Sequence, residues 1–312
     1  MSSPCLRGVL VGMLGVMLGN SACWRADVYP VTGAPISDGS LDQSVEPVTC
    51  PSPVLPAGDT SVTLLVGSVS RSYVLHIPST YDGKRAVPLI VDFHGIGGSG
   101  WSEWAASPYP AVTDPDGVVI AFPDGLQGAL GTGWNMGPCC VPNVDDLGFS
   151  RALVAQVKNT ACIDPSRVYA VGVLTGSGMV YDLACQAADV FAGVAPAAFD
   201  LLKESVDDCH PSRPITVISF RGTADPRVPY AGGASTLVPG MPITFLGAVM
   251  TLDRWAQIDR CTGTRSKADS NGCSSYSGCQ DGVDVLLCTK QGGVDDPGDA
   301  HVAWPVLKRH TL

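Results

Sequence analysis

The stretch Val168-Tyr-Ala-Val-Gly-Val-Leu-Thr-Gly-Ser-Gly178 predicts a buried strand, a tight turn and the start of a helix. In an elbow of the form G-x-S-x-G, such a turn lifts one side chain above the sheet, where it attacks a substrate. Gly172 and Gly176 are the flanking glycines, and Leu174 lies midway between them. Leucine has neither an acidic proton nor a lone pair, so this position cannot supply a nucleophile.

Apolar segments on both sides of this stretch predict an α/β fold. The segments that we expect to be strands rich in apolar residues are 87–93, 118–122, 167–173, 215–220 and 283–289. Residues 70–77 alternate polar with apolar side chains, as an edge strand does. Helical spacing is found at residues 146–157, 245–258 and 301–309. Since strands alternate with helices, we expect a mainly parallel sheet covered by helices on both faces.

The beginning of the chain predicts export. Residues 1–22 have a basic start, a short apolar stretch and a small-residue end, which are typical of a cleaved signal peptide. Residues 23–58 are rich in Pro, Ser and Gly and predict a flexible leader, and residues 59–312 suit one domain. No later segment is apolar for long enough to span a bilayer, so we expect a secreted, extracellular protein.

The cysteines agree with export. The chain has 12, of which ten lie from Cys50 onward, and an even set in an exported chain predicts up to five disulfides. We expect Cys50 to be tied to the domain. Cys23 remains as an odd cysteine directly after the signal, where a bacterial lipoprotein would carry its lipid anchor. Tethering through Cys23 is therefore the alternative to free release.

The formal net charge of −10 argues against nucleic acid or an anionic membrane surface as a partner. The expected ligand is an ester, either a small molecule or part of a polyester or plant polymer. No cofactor is implied.

The run His94-Gly-Ile-Gly-Gly-Ser-Gly100 follows the first buried strand. In α/β-hydrolases, a loop at this place donates a backbone N–H to the developing oxyanion, here from Ile96. The second donor would be the N–H of Thr175, directly after the elbow position. One alternative is a structural glycine turn. The other is a dinucleotide site, because the run also matches G-x-G-x-x-G, but an exported, cysteine-rich chain disfavours such a cofactor.

Asp225 lies in the loop Arg221-Gly-Thr-Ala-Asp-Pro that follows the strand ending at Phe220. A carboxylate in this loop, after the nucleophile in chain order, orients the histidine of a hydrolase triad. Aspartate before proline is also a common turn, so this motif by itself is moderate support.

Several further motifs occur in one order along the chain. They are Arg71-Ser-Tyr-Val-Leu-His-Ile-Pro78, Asp92-Phe-His-Gly95, Phe122-Pro-Asp-Gly125, Trp134-Asn135, Val144-Asp-Asp-Leu-Gly-Phe149, Ile163-Asp-Pro-Ser-Arg-Val-Tyr169, Gly222-Thr-Ala-Asp225 and Gln291-Gly-Gly293. With them, the chain resembles the secreted polyhydroxybutyrate depolymerase and feruloyl esterase family of α/β-hydrolases. The resemblance implies a disulfide-braced α/β-hydrolase domain that hydrolyses carboxylic esters of polyesters or plant phenolics through an acyl-enzyme.

The resemblance also assigns the triad positions. The family's acid matches Asp225, its serine matches Leu174, and its histidine matches Asp295. Two of the three triad groups are therefore replaced. An aspartate is a poor substitute for the histidine, because its unperturbed pKa of about 4 makes it a weak base.

Two hypotheses of different classes follow from these replacements. In the first, the chain is a non-catalytic descendant that keeps the cleft to bind an ester or saccharide ligand. In the second, it is an esterase with a rewired site, in which either Ser177 and His301 substitute for the lost groups or a different, water-based route is used. The acidic cluster Asp295, Asp296 and Asp299 resembles a calcium site only weakly, since it has no glycine-centred loop, and we assign no metal.

Overall fold

A computed structural model describes residues 48–235, 243–294 and 297–312 of the 312-residue chain. The predicted signal peptide, Cys23 and most of the predicted leader lie outside the described residues, as do Asp295 and Asp296. What the sequence predicts for these residues therefore stays a prediction.

The secondary structure alternates strands and helices along the chain. The strands are β1 (Gly58–Val66), β2 (Val69–Ile77), β3 (Val87–Phe93), β4 (Val119–Pro123), β5 (Leu126–Gly128), β6 (Gly131–Gly133), β7 (Ile163–Val173), β8 (Gly193–Ala197), β9 (Thr216–Gly222), β10 (Gly233–Ala234), β11 (Thr244–Phe245), β12 (Cys273–Tyr276) and β13 (Val285–Lys290). The helices are α1 (Gly100–Ala106), α2 (Tyr109–Thr113), α3 (Asp146–Thr160), α4 (Thr175–Gln186), α5 (Ala248–Ile258) and α6 (Ala300–Leu307).

The central sheet has nine strands in the order β1-β2-β4-β3-β7-β8-β9-β13-β12. The six strands from β4 to β13 in this order are parallel, and antiparallel strands flank them at both ends. The predicted α/β-hydrolase fold with a mainly parallel sheet is therefore confirmed. The carboxyl ends of the parallel strands lie along one edge of the sheet, which is where such folds place their sites.

The expectation that residues 70–77 form an edge strand is wrong. These residues form β2, which pairs with β1 on one side and with β4 on the other. The strand at this edge of the sheet is β1, whose residues are largely exposed. The alternation that suggested an edge arises because Ser72 and His76 are only half-buried, whereas Arg71, Tyr73 and Leu75 are buried.

Helices cover both faces of the sheet, as predicted. Alternate residues of β7 face opposite sides of the sheet. Val168 and Ala170 belong to the core on the side of α3 and α4, and Tyr169 and Val171 belong to the core on the side of α6. The three predicted helices differ from the observed ones at their ends, and the helix predicted over 146–157 extends to Thr160. The helix predicted over 245–258 begins at Ala248, because Thr244 and Phe245 pair as β11, and the last helix ends at Leu307.

Five disulfides join the ten cysteines from Cys50 onward, as the count predicted. The pairs are Cys50–Cys162, Cys139–Cys140, Cys185–Cys209, Cys261–Cys279 and Cys273–Cys288. A cysteine set of this kind fits an extracellular protein. Among the described helices, none has the length and hydropathy that a membrane crossing requires.

Candidate active site

The turn between β7 and α4 has the strained geometry of a nucleophile elbow, and leucine stands at its centre. Leu174 joins β7 to α4 with φ 52° and ψ −123°, a conformation that is rare for any residue other than glycine. Both flanking glycines are required here. A Cβ on Gly172 would lie 2.9 Å from the Phe93 carbonyl oxygen, and a Cβ on Gly176 would overlap that oxygen. The close approach of β3, β7 and α4 therefore fixes the turn.

Two backbone hydrogen bonds hold the elbow in this conformation. The Leu174 N–H donates to the Ala197 carbonyl at 3.0 Å, and the Leu174 carbonyl accepts from the Ser177 N–H at 3.0 Å. A backbone in a sparsely populated region costs on the order of 1–3 kcal/mol and persists only where its surroundings impose it. Such strain is typical of functional sites, and here it presents a half-buried leucine.

Ser177 is a structural residue. Its side chain is fully buried, and its hydroxyl lies 2.6 Å from the Gly172 carbonyl and 2.7 Å from the Ala197 carbonyl, while accepting the Ala197 N–H at 2.7 Å. These contacts fasten the first turn of α4 to β7 and β8. The hypothesis that Ser177 substitutes as nucleophile is therefore not supported, because the hydroxyl is already bonded within the core.

His94 shapes the loop that follows β3. The Gly125 N–H donates to His94 Nε2 at 2.9 Å, so the proton of the neutral ring is on Nδ1, which donates to the Gly95 carbonyl at 2.7 Å. Burial lowers the pKa of His94 and keeps the ring neutral. The indole N–H of Trp134 donates to the His94 carbonyl at 2.8 Å. A buried side-chain network thus fixes the loop that carries Ile96.

The amides of Ile96 and Thr175 are both unoccupied. Within the described part of the chain, neither N–H has a hydrogen-bond acceptor. Thr175 is the first residue of α4, where backbone N–H groups lack partners inside the helix. A Cβ placed on Gly95 would lie 3.3 Å from Leu174 Cβ, so the loop of Ile96 adjoins the elbow. Both donors expected of an oxyanion hole are available.

Asp225 is held in place with one oxygen unused. Its Oδ1 accepts the N–H groups of Arg227 at 2.8 Å and Val228 at 3.0 Å. Its Oδ2 is buried and has no hydrogen-bond partner within the described residues. A triad acid uses one oxygen to accept the histidine N–H and the other to fix its own position. The geometry of Asp225 matches that division.

An ion pair lies beneath the Asp225 loop. Arg221 and Asp200 are fully buried, and Arg221 Nη1 donates to Asp200 Oδ2. Arg221 Nη2 donates to the Val228 carbonyl at 2.5 Å, which ties the pair to the loop. Burial raises the pKa of Asp200 to about 6, although the adjacent guanidinium favours the ionised form.

The loop after β13 is joined to the Asp225 loop. The Thr223 N–H donates to the Lys290 carbonyl at 3.1 Å, and the Ala224 N–H donates to the Gly293 carbonyl at 3.0 Å. The segment that leads to the assigned histidine position therefore adjoins the acid loop, although Asp295 itself lies outside the described residues. His301 is exposed in the first turn of α6, and no contact joins it to Ser177 within the described ranges.

Comparisons with known proteins identify the family. The chain is 42% identical over 246 residues to feruloyl esterase B of Piromyces equi, covering 78% of this chain and 46% of that protein. It is 29% identical over 234 residues to feruloyl esterase C of Emericella nidulans, covering 68% of this chain and 77% of that protein. The chain belongs to the feruloyl esterase and polyhydroxybutyrate depolymerase-like α/β-hydrolases.

The comparison with solved structures agrees with the α/β fold. The acetyl xylan esterase from Aspergillus awamori superposes with a TM-score of 0.58 at 12% identity, over 80% of this chain and 99% of that chain. No family model matches the sequence. The chain spans about half the length of feruloyl esterase B.

Sequence reasoning missed two features of this feruloyl esterase-like site. The first is the buried ion pair of Arg221 with Asp200, two residues that no short sequence spacing connects. The available signal was an arginine beside an apolar strand, because a buried guanidinium needs a carboxylate partner. The supporting role of His94 was also missed. A histidine directly before the glycine run, followed by Trp134 much later, becomes informative only once the fold brings the two together.

Proposed function

We propose that this chain binds a carboxylic ester in the cleft of an esterase fold without hydrolysing it through a serine acyl-enzyme. The observation that carries the proposal is Leu174, which occupies the strained elbow position where the nucleophile of such a fold stands. An unreactive side chain at this position removes the attacking group, while the elements that recognise an ester are retained.

The retained elements support ester binding. The free N–H groups of Ile96 and Thr175 can donate to a carbonyl oxygen, and that contact does not need a nucleophile. Feruloyl esterase B is the relative with 42% identity, so we propose a plant phenolic ester as the ligand and a polyester as the second candidate. The fixed Asp225 loop would form one wall of the cleft.

Loss of triad groups leaves little turnover. Removing triad members from serine hydrolases still leaves about 10³–10⁴-fold acceleration over water, which comes from the oxyanion hole and from binding. We therefore expect hydrolysis by this chain to be slow and insensitive to serine-directed reagents. The rewired esterase is the second candidate, and the buried, fully bonded hydroxyl of Ser177 argues against it.

The first experiment is hydrolysis of p-nitrophenyl acetate and butyrate by the purified chain, with and without a serine-directed phosphonate. We expect turnover near the uncatalysed rate and no covalent labelling. In parallel, calorimetric titration with methyl ferulate should give saturable binding. Phosphonate-sensitive turnover well above background would overturn the proposal in favour of a rewired site, and the absence of methyl ferulate binding would remove its ligand class.

We also propose that the mature chain is released outside the cell. The five disulfides favour an oxidising compartment. The mass of the mature protein tests this, because a free N-terminus near residue 23 indicates release and an added diacylglycerol at Cys23 would indicate tethering.

A further inference from the structure

A cavity of about 400 Å³ lies at the amino edge of the sheet, where the chain leaves α5 and where it enters β9. We call it the arginine groove, and the lining residues that matter for its chemistry are His210, Arg213, Arg254, Gln257, Arg260 and Gln280. Its volume falls within the range of small-molecule sites, roughly 300–1,000 Å³.

The arginine groove is basic although the protein is acidic. Three arginines line it, and none of the described residues that line it is an aspartate or a glutamate. The whole chain, by contrast, has 29 Asp and Glu residues against 19 Lys and Arg residues. A cluster of one charge sign in a cavity raises the local concentration of oppositely charged ligands. The groove therefore suits a small anion, whereas the acidic surface around it repels a long polyanion.

Neutral acceptors hold two of the guanidinium groups. Arg213 donates to the carbonyl oxygens of Ala188 at 3.3 Å and Thr311 at 3.1 Å. Arg260 Nη1 donates to Gln280 Oε1 at 3.0 Å. Carbonyl and amide oxygens fix the position of a guanidinium but leave its positive charge in place. Both groups keep further N–H donors, because an arginine has five.

Arg254 has few acceptors. Its Nη2 donates to the Val206 carbonyl at 3.4 Å, and its buried Nε has no hydrogen-bond partner within the described ranges. Asp207 Oδ1 lies 3.8 Å from Nη2 and belongs to a side chain that is almost fully exposed, so this ion pair is weak. Burial raises the pKa of Asp259, which precedes Arg260, to about 7. At pH 6 this carboxyl is therefore mostly protonated and does not offset the arginines.

Two disulfides brace the walls of the groove. Cys185–Cys209 ends directly before His210, and Cys261–Cys279 lies directly beside Arg260 and Gln280 in the chain. Walls that are fixed before binding reduce the entropy that a ligand must overcome.

The lining favours a carboxylate that also carries hydroxyl groups. A guanidinium matches a planar carboxylate with two parallel hydrogen bonds. The amides of Gln257 and Gln280 and the hydroxyl of Ser212 can bond ligand hydroxyls, and Pro211 and Ile258 offer apolar surface to C–H groups. Because α5 ends at the groove, the partial negative charge of its carboxyl end disfavours a doubly charged phosphate more than a singly charged carboxylate.

We propose that the arginine groove binds a uronic acid residue of an acidic saccharide. Such a residue combines one carboxylate with several hydroxyls and C–H faces. The seven residues of β9 separate the groove from the carboxyl edge of the sheet by roughly 20 Å, so the bound residue would not contact the elbow. The inference therefore goes beyond the proposed function and does not depend on it.

The test is calorimetric titration of the full chain at pH 6 with trigalacturonate and with its fully methyl-esterified form. We expect saturable binding of trigalacturonate. The methyl ester should bind about ten-fold more weakly or worse, because esterification removes the charge that the arginines recognise and keeps the ring hydroxyls.

A glutamine variant localises the binding. Gln257 is exposed, so Gln257→Glu adds a carboxylate to the groove without disturbing the core and should weaken trigalacturonate binding by about ten-fold or more. Arg260→Gln, also at an exposed position, should weaken it by a smaller factor. The matched control is Gln127→Glu, the same change at an exposed glutamine of β5 outside the groove, which should leave binding unchanged.

Four results would overturn the proposal. They are the absence of saturable trigalacturonate binding, equal binding of the methyl ester, equal weakening by Gln257→Glu and Gln127→Glu, and tighter binding of inorganic phosphate than of trigalacturonate. Methyl ferulate distinguishes this site from the cleft, because it should not displace trigalacturonate. Displacement would place the saccharide in the cleft, and failure of the chain to bind methyl ferulate would affect only the proposed ester function.

Discussion

The elbow and the acid loop follow β7 and β9 at the carboxyl edge of the sheet, with β8 between the two strands, and they keep different parts of the arrangement that a serine hydrolase needs. At the elbow, Leu174 has the strained backbone that a nucleophile needs, with a side chain that cannot react. At the acid loop, Asp225 has the carboxylate that a histidine needs, and one of its buried oxygens has no partner among the described residues.

The comparison shows that different interactions fix the backbone of the elbow and the carboxylate of the acid loop. The turn at Leu174 follows from the packing of β3, β7 and α4 against two glycines, so it tolerates any side chain that can stand in the cleft. The position of Asp225 depends on its own hydrogen bonds and on the ion pair below it. A single substitution can therefore remove the reaction at the elbow without unfolding the protein.

The strongest test of the comparison restores the missing groups. Leu174→Ser with Asp295→His should raise kcat/KM for p-nitrophenyl butyrate about a thousand-fold over the parent, whereas Leu174→Ser alone should restore little. The matched control adds Asp225→Asn to the double variant, which should remove most of the gain because the histidine loses its orienting carboxylate. A folded double variant without activity would show that Asp295 is not the histidine position.

The acid loop should be more fragile than the elbow. Arg221→Met leaves Asp200 buried without its partner and should lower the free energy of unfolding by about 3–5 kcal/mol, as measured in urea. The control is Arg151→Met, which breaks an exposed ion pair with Asp189 and should cost less than about 1 kcal/mol. Equal effects of the two changes would contradict a structural role for the buried pair.

Ser177 tests whether the elbow has moved its nucleophile. Ser177→Ala should destabilise the fold by about 2 kcal/mol, because the buried Ala197 N–H loses its acceptor. Hydrolysis of p-nitrophenyl butyrate should not change, and Ser212→Ala, at an exposed position, should change neither quantity. Loss of turnover in Ser177→Ala at unchanged stability would support the rewired site.

Asp259 shows what an unpaired buried carboxylate oxygen does outside the cleft. Among the described residues its Oδ2 has no hydrogen-bond partner, and its Oδ1 accepts the Ile215 N–H next to the amino end of β9, the opposite edge of the sheet from the elbow. Burial raises the pKa of Asp259 to about 7. The folded state therefore binds this proton more tightly than the unfolded state, so stability falls as the pH rises towards this pKa.

Asp259→Asn should remove this part of the pH dependence, which amounts to about 1 kcal/mol between pH 6 and pH 7. Burial also raises the pKa values of Asp92 and Asp182 to about 7, so these two residues should still lower the free energy of unfolding as the pH rises. Urea denaturation at the two pH values measures the difference. Parallel curves for the parent and the variant would show that Asp259 is ionised in the fold at pH 6.

The sequence predicted the interior of the fold better than its edges. Apolar runs such as 87–93 and 118–122 form buried strands at nearly the predicted positions, because a strand covered on both faces must be apolar. Strand β1 was missed, since its exposed residues carry little hydrophobic signal. Because β1 gives no such signal, the alternating pattern of β2 predicts an edge strand at a position that is one strand inside the sheet.

In the candidate site too, local features could be predicted from the sequence and long-range contacts could not. Gly172, Leu174 and Gly176 lie within five consecutive residues, so their geometry follows from a local motif. The ion pair of Arg221 with Asp200 and the hydroxyl contacts of Ser177 join residues that are distant along the chain or belong to different strands. No spacing rule indicates such contacts, because they arise only after the sheet has assembled.

The Cys50–Cys162 disulfide spans 112 residues and joins the start of the domain to β7. Any cut by a protease between these two cysteines would therefore leave both fragments in one molecule. Such a nicked protein would migrate as a single band on a non-reducing gel and separate only after reduction. In the extracellular location that we propose, the loop of Ile96 and the elbow would stay covalently connected even after a protease had cut the chain between that loop and Cys162.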